Sequence, residues 1–154
     1  MNSQHRNSRY VIVYLLWVLS IFSSTAFSAT EQVRVSGGNN DAEELVSDGD
    51  MSRGSSDLEF GYDGGLQIVG MRFQNINIPQ GATISSAYIE FVTDETDSGT
   101  TNLVIFGEDN ESPTTFTNSD DNISDRTKTS ASVNWTPAAW NNVNELQQTS
   151  DISV

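Results

Sequence analysis

Residues Met71 to Val92, M-R-F-Q-N-I-N-I-P-Q-G-A-T-I-S-S-A-Y-I-E-F-V, constrain the fold of this chain more than any other stretch. Val69, Met71 and Phe73 share one parity before an Ile-Pro-Gln-Gly turn; Ala87, Ile89 and Phe91 share another after it. A period of two puts one face in a core and the other in water, as a strand does and a helix does not. Pro79 and Gly81 punctuate the connection. The segment predicts two strands of an antiparallel β-domain, and it says little about chemistry.

The start of the chain reads as a targeting segment. Met1 to Arg9 is polar and carries Arg6 and Arg9 without an acid, Tyr10 to Phe22 is apolar and uncharged, and small residues run from Ser23 to Ala29. That order is the pattern of a secretory signal peptide, a helix in its apolar part, with Ala26 and Ser28 suiting cleavage after residue 28. The competing reading is an uncleaved anchor, but the apolar run is shorter than the roughly 20 residues that a bilayer span needs. The expectation is a mature module of residues 29–154, secreted to the extracellular space or cell surface, with the periplasm as the alternative.

Loss of residues 1–28 leaves 5 basic against 21 acidic side chains, a net of −16. Such a surface repels nucleic acid and anionic lipid, both of which need positive charge to bind. It suits either hydration of a salty-water surface or bound calcium, which takes carboxylate and carbonyl oxygens. The chain has no cysteine, and its single histidine, His5, lies in the leader. Thiol catalysis, His-based triads and Cys- or His-ligated metals are therefore excluded from the mature module.

Further alternating or apolar runs occur at Glu31–Ser36, Asp57–Phe60, Leu66–Phe73, Ile84–Val92, Leu103–Gly107 and Thr129–Thr136, with turn-forming residues between them. Ile84–Val92 is the strongest of them. Leu103–Gly107 has no alternation, which predicts burial on both faces or a central place in a sheet. Asn141 to Val154 shows no partner pattern. The polar stretch Glu108–Arg126 is long for a loop, and Phe116 and Ile123 are its expected anchors. Short strands spaced by roughly ten residues predict an all-β, antiparallel sandwich in a single domain.

The order Asp41-Ala42-Glu43-Glu44, Ser56-Asp57-Leu58-Glu59, Met71-Arg72-Phe73, Ile78-Pro79-Gln80-Gly81-Ala82-Thr83-Ile84 with Ala87-Tyr88-Ile89, and Val133-Asn134-Trp135-Thr136-Pro137 resembles secreted bacterial β-sandwich modules of the DNRLRE type. These are relatives of jelly-roll carbohydrate-binding modules, and some bind alginate. The resemblance covers most of the mature chain and implies a jelly-roll-like sandwich. It also implies polysaccharide as a partner, and a place beside other domains of a larger secreted protein. Such modules continue after the Trp-Thr-Pro region into further strands, so the resemblance implies that closing strands are missing from this chain, as in a fragment or a truncated reading frame.

The candidate site residues are of two kinds. Flat rings stack on sugar faces, which singles out Tyr62, Trp140 and Tyr88; Tyr88 has the outward parity opposite to Ala87 and Ile89, and Trp140, after its Pro-Ala-Ala turn, either caps the core or lies in a groove. Trp135 shares parity with Val133 and is expected in the core. Arg72 is a candidate contact for an acidic sugar, or else the cross-sheet partner of Glu90. For calcium, the candidates are Asp41, Glu43, Glu44, Asp48 and Asp50. Asp48-Gly49-Asp50-Met51-Ser52 with Glu59 echoes an EF-hand loop but has Arg53 where that loop needs glycine. Asp94, Glu95 and Asp97 form a second acidic cluster, expected to be a solvated turn. No two carboxylates stand out as the acid and base of a glycosidase, and the expected function is not enzymatic. The two functions left open are polysaccharide binding and a structural or adhesive surface module, stiffened by calcium and lacking a sugar site.

Overall fold

The computed structural model describes residues 28–154, so the expected leader lies outside the described residues except at Ser28. Seven strands and no helix are found among the described residues: β1 (Asp41–Leu45), β2 (Met51–Ser52), β3 (Gln67–Met71), β4 (Glu90–Val92), β5 (Leu103–Glu108), β6 (Lys128–Trp135) and β7 (Leu146–Gln148). They form three antiparallel sheets, ordered β2-β1-β3, β4-β7 and β5-β6. The protein is all-β and antiparallel, as its alternating runs predict.

The turn expected at Pro79 is present. Ala82 N donates to Pro79 O at 3.0 Å. Gly81 has φ +82°, the left-handed value that a type II turn requires at that position. Strand β3 lies inside the predicted Leu66–Phe73 run and β6 almost fills Thr129–Thr136. Elsewhere the ladder differs from the pattern. Glu31–Ser36 and Asp57–Phe60 alternate but form no strand, because alternation fixes faces and does not supply a pairing partner. Only Glu90–Val92 of the Ile84–Val92 run is strand, since its partner β7 is three residues long. That partner comes from the tail in which no pattern was legible. Beyond β7 the pairing continues loosely: Thr149 N donates to Ile89 O at 3.0 Å and Ile152 N to Ala87 O at 2.8 Å. Strand β5 also departs from expectation. It pairs with β6 alone, and it alternates in burial, with Val104 52% and Phe106 45% exposed.

Two apolar centres organise the molecule. One packs Ala42, Phe116 and Ile123 with Met51 and Ile68 beside the three-stranded sheet. Phe116 and Ile123 anchor the long polar loop, as expected. Gly70 on β3 makes room for them: a Cβ there would lie 2.6 Å from Phe116 Cζ and 3.1 Å from Ile123 Cδ1. The second centre is aromatic. Phe60 meets the rings of Phe91, Trp135 and Trp140 edge-on at 4.8, 6.0 and 6.4 Å, and Phe91 stacks on Trp135 at 5.6 Å. Trp135 is 5% exposed, as its parity predicts.

Buried polar side chains outnumber buried hydrophobic ones among the described residues. Asn40, Glu43, Glu44, Thr93 and Thr149 are all buried. Each finds partners, as buried polar groups must. Glu44 Oε2 accepts from Ile123 N at 2.6 Å and Ser124 N at 2.9 Å. Thr93 Oγ1 donates to Asn142 O at 2.7 Å and accepts from Glu145 N at 3.0 Å. Thr149 Oγ1 accepts from Ile89 N at 3.1 Å. The long loop is tied by Arg126, whose guanidinium donates to Thr114 O, Thr115 O and Glu108 Oε2 and lies 4.4 Å above the Phe116 ring.

Candidate functional site

A half-open cleft of about 420 Å³ lies between three segments: residues 56–62, the end of β4 with the turn after it, and residues 137–144. Strand β4 turns Phe91 towards Phe60 and Trp135, and these rings back the cleft. Beyond β4, Thr93 N donates to Glu145 O and Asn144 N to Thr93 O, which clamps the two outer walls together. Asp97 and Trp140 then exchange backbone hydrogen bonds at 3.0 and 2.7 Å. That exchange holds the Trp140 ring beside the acidic turn. Opposite it, the Gly61–Gly65 turn carries Tyr62, which is 70% exposed at the rim.

Asp57, Glu59, Asp94, Glu95 and Asp97 all line this cleft, and no lysine or arginine does. Glu59 shows the crowding. Its carboxyl is held above the usual carboxylate range, first by burial and then by the charges of Glu95, Asp57, Asp63 and Glu43. Burial likewise pushes Glu43 up, against the opposing effect of the Glu59 N–H that its Oε1 accepts at 2.5 Å. The Trp140 Nε1–H is buried with no acceptor.

Two of the four candidate ligand contacts, Tyr62 and Trp140, thus meet in one cleft although 78 positions separate them. The other two lie elsewhere. Arg72 donates from Nε to Pro113 O and from Nη1 to Asn40 Oδ1, each at 2.8 Å, so it braces the loop and is not paired with Glu90. Tyr88 is 47% exposed, on the outward side that its parity predicts. Sequence reasoning did not select Asp57, Glu59 or Phe60; Asp94, Glu95 and Asp97 lie exposed in a turn, as expected, and that turn borders the cleft. The only available signal was the Asp57-Leu58-Glu59-Phe60 alternation, which pairs two acids on one face with an aromatic on the other.

The five calcium candidates are divided among different surroundings. Asp41, Glu43 and Glu44 lie on β1, where adjacent side chains point to opposite faces. Glu43 and Glu44 are occupied by backbone N–H groups on those opposite sides. Asp48 and Asp50 lie in the β1–β2 turn, where Asp48 Oδ1 accepts from Asp50 N at 3.3 Å. Among the described residues, no group of three or more carboxylates is arranged to hold a metal ion. No family model, curated protein or solved structure matches this chain.

Proposed function

We propose that this chain is a secreted, non-catalytic jelly-roll-like β-sandwich module of the DNRLRE type that binds extracellular polysaccharide as an accessory part of a larger protein. The observation that carries the reading is the cleft in which Tyr62 projects at the rim and Trp140 forms a wall. Exposed rings beside polar groups are how sugar-binding surfaces hold a pyranose, and the cleft volume falls within the ~300–1,000 Å³ of small-molecule sites. Affinity electrophoresis and a glycan array, with folding checked by a cooperative melt, test it. Retention by at least one polysaccharide, weakened severalfold by Tyr62→Ala, is expected. No retention by any glycan overturns it, and release of reducing ends from a bound glycan overturns the non-catalytic part.

A second reading is a structural or adhesive surface module. It is favoured by apolar side chains left in the open, among them Leu66 at 62%, Val92 at 61% and Leu146 at 70% exposure. Large exposed apolar area marks surfaces that neighbouring domains cover. In that reading calcium stiffens the acidic turn after β1, where Asp48 and Asp50 lie together. A cation selective for the native state raises the thermal midpoint, so an identical midpoint in calcium and in chelator overturns it.

A further inference from the structure

We infer that β5 is a dimerisation edge: two copies of this chain pair antiparallel along Leu103–Phe106, across a two-fold axis at Ile105. Among the described residues β5 has a strand neighbour on one side only, so its other side offers backbone N–H and C=O groups to a further strand. Val104 and Phe106, alternate residues on one face of that edge, stand in the open. Sheets guard such an edge with lysine, proline, inward charge or a bulge. Residues 98–107 contain no charge and no proline, and the one irregularity, between Phe106 and Glu108, lies at the end of the run.

Charge and register identify the occupant as a second copy. After residue 28 the chain has 5 bases and 21 acids, so two copies repel each other over most of their surface. The β2-β1-β3 and β4-β7 sheets carry acids and no base. The β5-β6 pair carries one acid, Glu108, and one base, Lys128, and its ladder sets them opposite each other. It is the sheet that a like-charged copy can approach. The edge is also self-complementary. Setting Ile105 against itself puts Val104 of each copy opposite Phe106 of the other, an aromatic–β-branched pair of the stabilising kind. It puts Glu108 opposite Asn102, an amide, where a parallel pairing in register would put carboxylate against carboxylate. Such a contact is isologous and uses up both β5 edges, so it closes at two copies. Four residues a side bury less than the roughly 1,200 Å² of a standard interface, which makes the dimer weak and reversible. None of residues 102–108 lines the cleft, so dimerisation and glycan binding are separate properties.

Sedimentation velocity of residues 29–154, with folding checked by a cooperative melt, tests the inference. The protein is expected to be mostly monomer at about 5 µM and mostly dimer at about 1 mM. Added salt should raise the dimer fraction severalfold, because it screens the repulsion between the copies and leaves the apolar and backbone contact in place. Amide exchange at Leu103–Phe106 should slow as the protein concentration rises. Val104→Lys and Phe106→Glu, both at exposed positions, should each abolish the dimer and keep the melt. Mixing those two variants should restore it, because the register brings the introduced ammonium against the introduced carboxylate. Val92→Lys, an exposed apolar position on β4, should leave the dimer unchanged. A monomer at every concentration and salt overturns the inference. So does a dimer that survives Val104→Lys or is lost in Val92→Lys, since either places the contact on another face. Failure of the mixed variants to pair overturns the antiparallel register.

Discussion

Glu44 is the side chain on which the first apolar centre depends. It is 1% exposed, and its carboxylate holds two backbone N–H groups of the loop 79 and 80 positions away. Removing an acceptor from buried donors costs more than the hydrogen bond itself contributes. Glu44→Ala should therefore destabilise the fold by about 3 kcal/mol in urea unfolding, and Glu44→Gln, which keeps one acceptor oxygen, by about 1 kcal/mol. Glu59 acts in the opposite sense. A carboxyl with a raised folded value binds more protons folded than unfolded, so stability falls as pH rises through that value. Glu59→Gln should raise the thermal midpoint at pH 7 and flatten its decline above the ordinary value of 4.5. A midpoint that is lower at neutral pH in the variant would show that Glu59 is held by a favourable partner and is not crowded.

Among the elements, β3 and the β4–β7 pair make contrasting demands. Gly70 sits where the sheet touches Phe116, so Gly70→Ala overpacks that contact and should cost roughly 1–3 kcal/mol. Chemical denaturation reads the loss directly. The tail is secured differently. Asp151 accepts from Ala87 N and Ser153 N, and these bonds hold its carboxyl below the usual range. That contribution is present above the unfolded value of 3.8 and is lost as pH falls through the lower folded one. Hydrogen exchange at Ala87 and Ile152 should accelerate there, and Asp151→Asn should show the faster exchange already at neutral pH. The elements also show what the sequence discloses. Val133–Trp135 was legible because local alternation fixes faces, whereas the alternating Met71–Phe73 leaves the ladder at Met71. Leu146-Gln147-Gln148 was not legible, because its strand character comes from Glu90–Val92, more than fifty positions earlier. The apolar run at Leu103–Gly107 misled on burial, since composition does not reveal that β5 has a neighbour on one edge only. Tyr62 and Trp140 were each legible as candidate rings; their meeting in one cleft, with Trp140 packed against Phe60, is a tertiary fact that no local pattern contains.

At the scale of the whole molecule, few large side chains bear the apolar load. Ala42, Phe116, Ile123 and Trp135 are the buried hydrophobics among the described residues, and hydrogen-bonded polar groups hold much of the remaining interior. Trp135 contacts both Phe60 and Phe91. Trp135→Ala should cost about 3–5 kcal/mol. Set against a total stability of roughly 5–15 kcal/mol, that is a large share, and it should lower the thermal midpoint by many degrees. Near-ultraviolet dichroism, which reports ordered aromatic rings, checks this. The clamp of Thr93 on Asn144 and Glu145 also has a consequence in time. A ribosome delivers the chain from its N-terminus at roughly 5–20 residues per second. The three-stranded sheet and the loop it anchors are complete once Arg126 has emerged. The back, the far wall and the clamp of the cleft arrive only with Trp135, Trp140 and Glu145. A nascent chain halted between Arg126 and Trp135 therefore carries all of the first centre while Phe60 and Phe91 still lack the Trp135 ring that both contact, and for that interval the cleft does not exist.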